Sequence, residues 1–286
     1  MTADAEAARA KVNLALHIVG RRDDGYHILD TLVVFPPIAD TVTATPTDSL
    51  TLVVEGPGAD ALAGEDPSTN LVMRAAAGLH KIAGGKRGAA IRLEKRLPVA
   101  AGLGGGSADA AAAIRLLCRK WDVSLGDPRV AALALALGAD VPMCLASRPL
   151  RAGGVGEHLT HIGPLPGLGI LLVNPRGPLP TPAVFRRLQR RDNPPIETAP
   201  PPDAEGFLAA LSRCRNDLEP PARAIAPEIG RVLDALAALP GCRLGRMSGS
   251  GATCFALFDD PAGATRAGSA LARLHPGWWI EAAPLG

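Results

Sequence analysis

The sequence predicts an α+β protein of two domains, residues 1–150 and 151–286. Three observations support this fold class. Apolar and polar side chains alternate in the first half as they do in β-strands, an alanine-rich helical segment follows a glycine loop at residues 102–106, and strand and helix patterns begin again after residue 168. A chain of 286 residues has enough interior for a hydrophobic core in each domain.

The first half contains strand patterns on both sides of a helix. Leu71, Ala75, Leu79 and Ile82 recur at helical intervals, and two glycines follow them as a C-terminal cap. Strands are indicated at residues 11–20, 31–36, 40–56 and 89–98, a helix over 70–84, a second helix whose first turn is 107–110, and a short helix at 129–138.

The second half repeats the mixture with more proline. A strand at 168–174 and a helix at 181–191 precede a proline-rich stretch around 194–202, which we expect to be a mobile loop. Helices at 206–216 and 227–239 and a glycine turn leading into a strand at 248–258 complete an α+β domain.

Composition favours a small-molecule partner in the cytoplasm. Net charge is +2 with mixed signs, so we expect neither nucleic acid nor membrane as a partner. The sequence does not reveal the oligomeric state, for which a monomer or a weak homodimer is expected. The opening residues are acidic and lack the apolar segment of a secretory leader. The five cysteines form no regular framework, and His158 and His161 lack a third ligand, so no metal site is predicted.

The loop Pro98–Ser107 has the composition of a phosphate site. Its four glycines let backbone N–H groups approach an anion, and the helix that follows adds unpaired donors. No lysine precedes Ser107, which excludes a Walker A loop, and Ser107 stands where a dinucleotide fingerprint needs glycine. Asp109 would repel a phosphate, so we expect it to point away or to face a metal.

The segment PVAAGLGGGSADAA closely resembles the phosphate-binding motif of the GHMP kinases, the family of galactokinase, homoserine kinase and mevalonate kinase. Its triple glycine, together with segments at 11–33, 137–142, 215–220 and 248–258, resembles a branch whose acceptor carries cytidine diphosphate. The resemblance implies a two-domain α+β fold, with an ATP-binding N-terminal domain, a C-terminal domain that closes over the substrate, and the active site in the cleft between them.

The resemblance also implies the nucleotide site. ATP would be bound by the glycine loop and two residues outside it, Mg²⁺ would be carried mainly by the ATP phosphates, and Gly249 and Gly251 would approach the transferred phosphate. The expected ATP-binding residues are Asn70, Lys95, Pro98, Val99, Ala100, Ala101, Gly102, Leu103, Gly104, Gly105, Gly106, Ser107 and Ala108.

Asp140 and Lys11 are the expected catalytic residues. Spacing alone favours Asp140 as a turn former, but the resemblance places it at the family's catalytic base, and we expect its backbone to be non-helical ahead of Val141-Pro142. A lone lysine near an N-terminus is ordinarily a solvated charge, but by the resemblance Lys11 would stabilise charge on the transferred phosphate or pair with Asp140.

The acceptor site is expected to recognise a cytosine. By the resemblance, Tyr26 and Phe185 would sandwich the base and His27 would read its polar edge, with Thr181 on the same helix as Phe185. Asn13 and Asp140 would also contact the substrate.

The expected reaction is phosphorylation of the 2-hydroxyl of a cytidine diphosphate derivative of methylerythritol, in the non-mevalonate route to isoprenoid precursors. A homoserine or mevalonate type of GHMP kinase is the alternative, but it would leave Tyr26 and His27 without a role. A third hypothesis is a nucleotide-binding regulator on a kinase fold; retention of both Lys11 and Asp140 argues against it.

Overall fold

The computed structural model describes residues 5–64, 66–85, 87–177, 179–197 and 200–286. Residues 1–4, part of the segment on which the leader expectation rests, lie outside them. In chain order the elements are β1 (Ala5–Arg9), β2 (Val12–Arg21), β3 (His27–Val34), β4 (Ala39–Thr47), β5 (Leu50–Glu55), α1 (Leu71–Ile82), β6 (Gly88–Glu94), α2 (Gly105–Trp121), α3 (Pro128–Leu137), α4 (Val141–Ala146), β7 (Leu150–Gly154), β8 (His158–His161), β9 (Gly169–Asn174), α5 (Thr181–Arg186), α6 (Ala204–Ser212), α7 (Glu219–Ile225), α8 (Glu228–Ala237), β10 (Leu244–Met247), β11 (Cys254–Phe258), α9 (Pro261–Leu274) and β12 (Trp279–Pro284).

Two compact units divide the chain and interleave along it. The first unit comprises the residues up to Ala10, Ala39–Val99 and Gly104–Ser147; the second comprises Lys11–Ile38, Ala100–Leu103 and Arg148–Gly286. This division differs from the single boundary expected near residue 150. The reason is strand pairing: β3 pairs with β7 as well as with β2, which carries the β2–β3 hairpin into the second unit.

The first unit is a four-stranded sheet with helices packed on it. The strand order is β1-β4-β6-β5, antiparallel except for the parallel pair of β5 and β6. Helix α2 packs on β1 and β4, and α1 packs on α2. The run Ala110–Ala113 is fully buried, and side chains this small let α2 approach its neighbours closely.

The second unit contains two antiparallel four-stranded sheets, β2-β3-β7-β8 and β10-β11-β9-β12. Its core includes Leu171, Val173, Val232, Phe258 and Leu271 from the second of these sheets and from α8 and α9. Burial of each such side chain contributes about 1.5–3 kcal/mol to stability. This core supports the turn at 248–251, which connects β10 to β11.

Most predicted elements are present, with shifted ends. The helix predicted over 70–84 is α1, capped by the Asn70 side chain, whose oxygen accepts from the backbone N–H of Val72. Helix α2 begins at Gly105, two residues before the predicted first turn, because its first residues need no intrahelical acceptor and tolerate glycine. In the part of the chain that the structure describes, no helix is long and apolar enough to cross a membrane.

The proline-rich segment corrects one expectation. Residues 193–197 are not a loose loop, because backbone groups of Asn193, Pro194 and Ile196 are hydrogen-bonded to β2 and β3 of the same unit and the Ile196 side chain is buried. Proline removes regular structure but does not prevent such contacts. Two residues of the 194–202 stretch, 198 and 199, lie outside the described residues.

Candidate active site

Lys11 and Asn13 form a buried polar pair at the start of β2. The Lys11 ammonium donates to Asn13 Oδ1 over 3.2 Å, and Asn13 Nδ2 donates to Thr31 Oγ1 on β3 over 2.8 Å. Their exposures are only 6% and 2%, so both side chains are fixed. The structure thus places the two residues side by side within the second unit, while the catalytic role expected of Lys11 and the substrate contact expected of Asn13 stay predictions.

The middle of the glycine loop packs against the turn at 248–251. Ser248 Oγ accepts from the backbone N–H of Asn13 over 3.0 Å and donates to Gly102 O over 3.1 Å. A Cβ on Gly102 would lie 2.6 Å from Ser248 O and 2.7 Å from Gly251 O, and φ is +74° there. Glycine is therefore required at residue 102 by both sterics and backbone conformation.

Backbone hydrogen bonds also fix Ala101 and Leu103, the loop residues on either side of Gly102. The carbonyl of Ala101 accepts from Thr253 and that of Leu103 accepts from Lys11, at 3.1 and 2.8 Å. A Cβ on Gly249 would lie 2.8 Å from Gly102 O. Gly249 thus allows close packing of two backbone turns, whereas a Cβ on Gly251 would meet the Met247 sulfur at 2.7 Å. The sequence did not reveal these packing roles.

In the first unit, the loop enters α2 through three consecutive glycines. Gly104 caps the helix with φ +61°, and Gly105 and Gly106 form its first turn with Ser107, where backbone N–H groups have no intrahelical acceptor. A Cβ on Gly105 or Gly106 would meet nothing closer than 3.6 Å. Because the protein's own packing does not require these two glycines, close approach of an external group to the backbone explains them better.

The flanks of the loop differ in exposure. Val99 is 38% exposed, Ala100 is exposed with a positive φ of 54°, and Pro98 is half-buried, whereas Ala108 is buried in α2. The exposed residues of the loop thus lie before the helix, and Ala108, inside the helix, is buried.

A buried charge cluster joins the two flanks of the loop. The Lys95 ammonium binds Asp109 Oδ2 of α2 over 2.7 Å and also binds Asp40 Oδ2. Asp40 accepts from the backbone N–H of Leu97 over 2.8 Å as well. The cluster therefore connects the residues before the loop with the first turns of α2.

Asp109 is buried and faces the Lys95 ammonium, a partner that the sequence prediction did not name. Burial raises the pKa of Asp109 to about 7, against the lowering influence of Lys95. Burial alone would lower the pKa of Lys95, but Asp109 and Asp40 hold it above its ordinary value. Asp109 Oδ1 has no hydrogen-bond partner among the described residues. Because two carboxylates already bind its ammonium, Lys95 can support the loop by holding the residues before it against α2.

Asp140 lies at the N-cap of α4 in the first unit and is partly exposed. Its φ and ψ are −81° and −19°, so the expectation of a non-helical backbone is wrong. Pro142 is compatible with this geometry because proline in the first helical turn lacks only an N–H that would have no partner. The short helix fixes Asp140 through the bond from Cys144 N–H to Asp140 O, 3.0 Å long.

The second unit brings His27 and Phe185 together. Their ring centroids are 5.0 Å apart with the planes tilted by 35°. His27 Nε2 is buried without a hydrogen-bond partner among the described residues. Burial, then Arg191 and Arg21, lower the pKa of His27, so its ring is neutral at pH 7.

Tyr26 lies on the turn before His27 and is 64% exposed. Its backbone N–H donates to Asp24 Oδ1 over 3.2 Å, which fixes the turn. Thr181 is the first residue of α5, and its hydroxyl is hydrogen-bonded to the Ser250 hydroxyl of the glycine turn, with 2.7 Å between the oxygens. The Tyr26–Phe185 sandwich stays a prediction.

Sequence reasoning missed Ser248 and Asp40. Ser248 lay within a quoted motif, but its role depends on β2 and the loop meeting at its hydroxyl. Asp40 is fully buried where the alternating pattern of β4 places an apolar side chain, and that break in the pattern was the available signal.

Comparison with known proteins identifies the family. The models of the GHMP kinases N terminal domain and of the GHMP kinases C terminal match residues 70–148 and 202–277. A protein of Cereibacter sphaeroides strain KD131 named 4-diphosphocytidyl-2-C-methyl-D-erythritol kinase is 54% identical, over 96% of this chain and 97% of its own. One of the same name from Paramagnetospirillum magneticum is 51% identical, over 100% and 99%.

Solved structures agree. A crystal structure of 4-(cytidine 5'-diphospho)-2C-methyl-D-erythritol kinase matches with a TM-score of 0.81 and 37% identity, over 99% of this chain and 100% of that one. Homoserine kinase from Cytophaga hutchinsonii shares the fold, with a TM-score of 0.70 at 18% identity, over 98% of this chain and 94% of that one. The chain therefore has the predicted α+β fold and belongs to the GHMP kinase family, in the branch of the 4-diphosphocytidyl-2-C-methyl-D-erythritol kinases.

Proposed function

We propose that this kinase transfers the γ-phosphoryl group of ATP to the 2-hydroxyl of 4-diphosphocytidyl-2-C-methyl-D-erythritol. The observation that carries the proposal is the His27–Phe185 pair, an aromatic face beside a buried ring nitrogen that no described residue hydrogen-bonds. A cytosine offers a π-face for the first and a polar edge for the second. The names of relatives more than half identical in sequence support the same acceptor.

The nucleotide would bind at the start of α2. First-turn N–H groups of Gly105, Gly106 and Ser107 would donate to its phosphates, which the positive end of a 17-residue helix favours. The Asn70 amide oxygen caps α1, and no described residue accepts a hydrogen bond from its NH₂ group, which would bind the nucleotide. Lys95 would act by holding the loop, and Mg²⁺ would neutralise the phosphates, with the Ser107 hydroxyl as the side chain suited to it.

In the transfer step, the acceptor oxygen forms a bond to the γ-phosphorus as the bond to the β,γ-bridging oxygen breaks, and ADP leaves with that electron pair. The Asp140 carboxylate would accept the proton of the 2-hydroxyl. The Lys11 ammonium, held by Asn13, would stabilise charge on the transferred group. Asn13, Tyr26 and Thr181 would complete the acceptor site.

The test is ADP release by purified protein with Mg-ATP, comparing 4-diphosphocytidyl-2-C-methyl-D-erythritol with homoserine, mevalonate and galactose. We expect turnover with the cytidyl compound alone, and ³¹P NMR of the product should show a new phosphomonoester. Turnover with another alcohol would refute the proposed acceptor. A cytoplasmic location and a monomer or weak homodimer stay predictions, which fractionation and light scattering would check.

A further inference from the structure

Residues 193–196, named here the strap, follow α5 and are bound tightly to β2, β3 and β7. Asn193 N–H and Nδ2 donate to Ile18 O over 3.0 and 3.2 Å. Ile196 N–H donates to Asp30 Oδ2 and Ile196 O accepts from Arg151 Nη2, both over 2.7 Å. The Ile196 side chain is 3% exposed. The strap is therefore fixed at both of its ends.

Asp30 and Arg151 form one clamp on Ile196. Arg151 binds Asp30 through two parallel hydrogen bonds, Nε to Oδ1 over 2.7 Å and Nη2 to Oδ2 over 2.6 Å. Such fork-to-fork pairs are the strongest and most directional ion pairs in proteins. Because each partner also binds one backbone group of Ile196, the pair leaves neither the N–H nor the carbonyl of that residue unsatisfied.

His17 fixes the middle of the strap. Its Nε2 accepts from the backbone N–H of Arg215 over 3.2 Å, so Nδ1 carries the proton and donates to Pro194 O over 3.0 Å. Arg215 Nη2 donates to the same carbonyl over 2.8 Å. Burial, then the charge of Arg215, lower the pKa of His17, which keeps the ring in this neutral form at pH 7.

The strap is close along the chain to one half of the acceptor site, and its clamp is close to the other half. Phe185 lies on α5, which ends at Arg186, only a few residues before Asn193. His27 begins β3, three residues before Asp30. The clamp and the aromatic pair thus connect the same two pieces of chain, β3 and the segment that runs from α5 into the strap.

We propose that Asp30, Arg151 and His17 are positioning residues for the acceptor site: by fixing the strap they hold Phe185 against His27, where the cytosine ring binds. This inference rests on the proposed function. A released strap lets α5 move, so that the aromatic face is formed for only a fraction of the time. The apparent affinity for the cytidyl substrate falls by that fraction, about tenfold if the face is formed one tenth of the time.

The central variant is Arg151→Gln, which loses both bonds to Asp30 and the bond to Ile196 O. We expect KM for the cytidyl substrate to rise about tenfold with KM for ATP unchanged, and hydrogen exchange at the Ile196 amide to accelerate in parallel. Arg151→Lys keeps the charge but cannot form two parallel hydrogen bonds to Asp30, so its KM for the cytidyl substrate should lie between those of wild type and Arg151→Gln. If Arg151→Gln does not fold, His17→Asn carries the same expectation.

Two controls separate the possible causes. Val130→Ala removes buried methyl groups on α3, which belongs to the first unit, and should leave both KM values unchanged despite lower stability. Phe185→Ala tests the acceptor site itself and should raise KM for the cytidyl substrate at least tenfold. If it does not, the acceptor site fails and the inference fails with it. If Phe185→Ala behaves as expected while Arg151→Gln leaves KM unchanged, whether or not Ile196 exchange accelerates, the inference alone is refuted.

Discussion

Replacing Asp109 by asparagine should change how the stability of the first unit depends on pH. The carboxylate is buried, and its pKa of about 7 lies above the ordinary value of 3.8 for an aspartate. The folded protein therefore binds more protons at Asp109 than the unfolded chain does between these two values. Stability from this group is fully present below pH 3.8 and is lost as pH rises through 7.

The size of the effect follows from the shift. Each unit of pKa corresponds to about 1.4 kcal/mol, and the shift spans roughly three units, of which Lys95 and Asp40 share a part. Between pH 5 and pH 8 we expect wild type to lose about 1–3 kcal/mol at this group. Asp109→Asn removes the titration while its amide oxygen can still accept from Lys95. The free energy of unfolding of the variant, relative to that of wild type, should therefore increase by that amount as pH rises from 5 to 8.

The assay is urea unfolding at pH 5, 6, 7 and 8, followed by tryptophan fluorescence. Trp121 ends α2, the helix that carries Asp109, so a background of Trp278→Phe and Trp279→Phe makes it the reporter of the first unit. Asp127→Asn is the matched control, because hydrogen bonds from Arg129 lower the pKa of Asp127 and its contribution is lost only at lower pH. Parallel stability curves for wild type and Asp109→Asn over pH 5–8 would refute the reasoning.

Three further outcomes are expected. Gly102→Ala should lower the free energy of unfolding by about 2–4 kcal/mol, measured by differential scanning calorimetry, because its Cβ overlaps Ser248 O. The control Gly64→Ala has a positive φ but no described atom within 4 Å of its Cβ, and should cost only about 1–2 kcal/mol. Equal losses of stability in the two variants would contradict the steric argument. Asp140→Asn should lower kcat about 10²–10⁴-fold with ATP affinity by calorimetry unchanged, and a near-normal kcat would exclude it as the base. Because the pKa of His27 is lowered, KM for the cytidyl substrate should be constant from pH 7 to 9 and rise only below pH 6.5; a rise that persists in His27→Gln would assign it to another group.

Local patterns predicted the pieces of this fold better than their arrangement. The spacing of Leu71, Ala75 and Leu79 identified α1, and the glycine loop before an alanine-rich run identified α2, because both signals lie within one segment. The grouping of 11–38 with the second half was not predictable in that way. It depends on β3 pairing with β7, more than 100 residues later, and no local property encodes that pairing.

The candidate site divides along the same line. Lys11, Asn13, His27 and Phe185 could be named from motifs, and the structure brings them together as two pairs. The roles of Lys95 and Asp109 could not be assigned, since an isolated carboxylate in a helix does not reveal that a buried lysine faces it.

The interleaving of the two units also constrains how the chain can be made. It passes between them five times, after Ala10, Ile38, Val99, Leu103 and Ser147. During synthesis the β2–β3 hairpin leaves the ribosome long before β7 has been made. The edge of β3 that later pairs with β7 is therefore unpaired while the first unit is completed. A gene cut near residue 150 would thus separate β3 from its partner strand and yield two fragments that must associate to fold, whereas circular permutation at an exposed surface turn would keep every strand pair within one molecule.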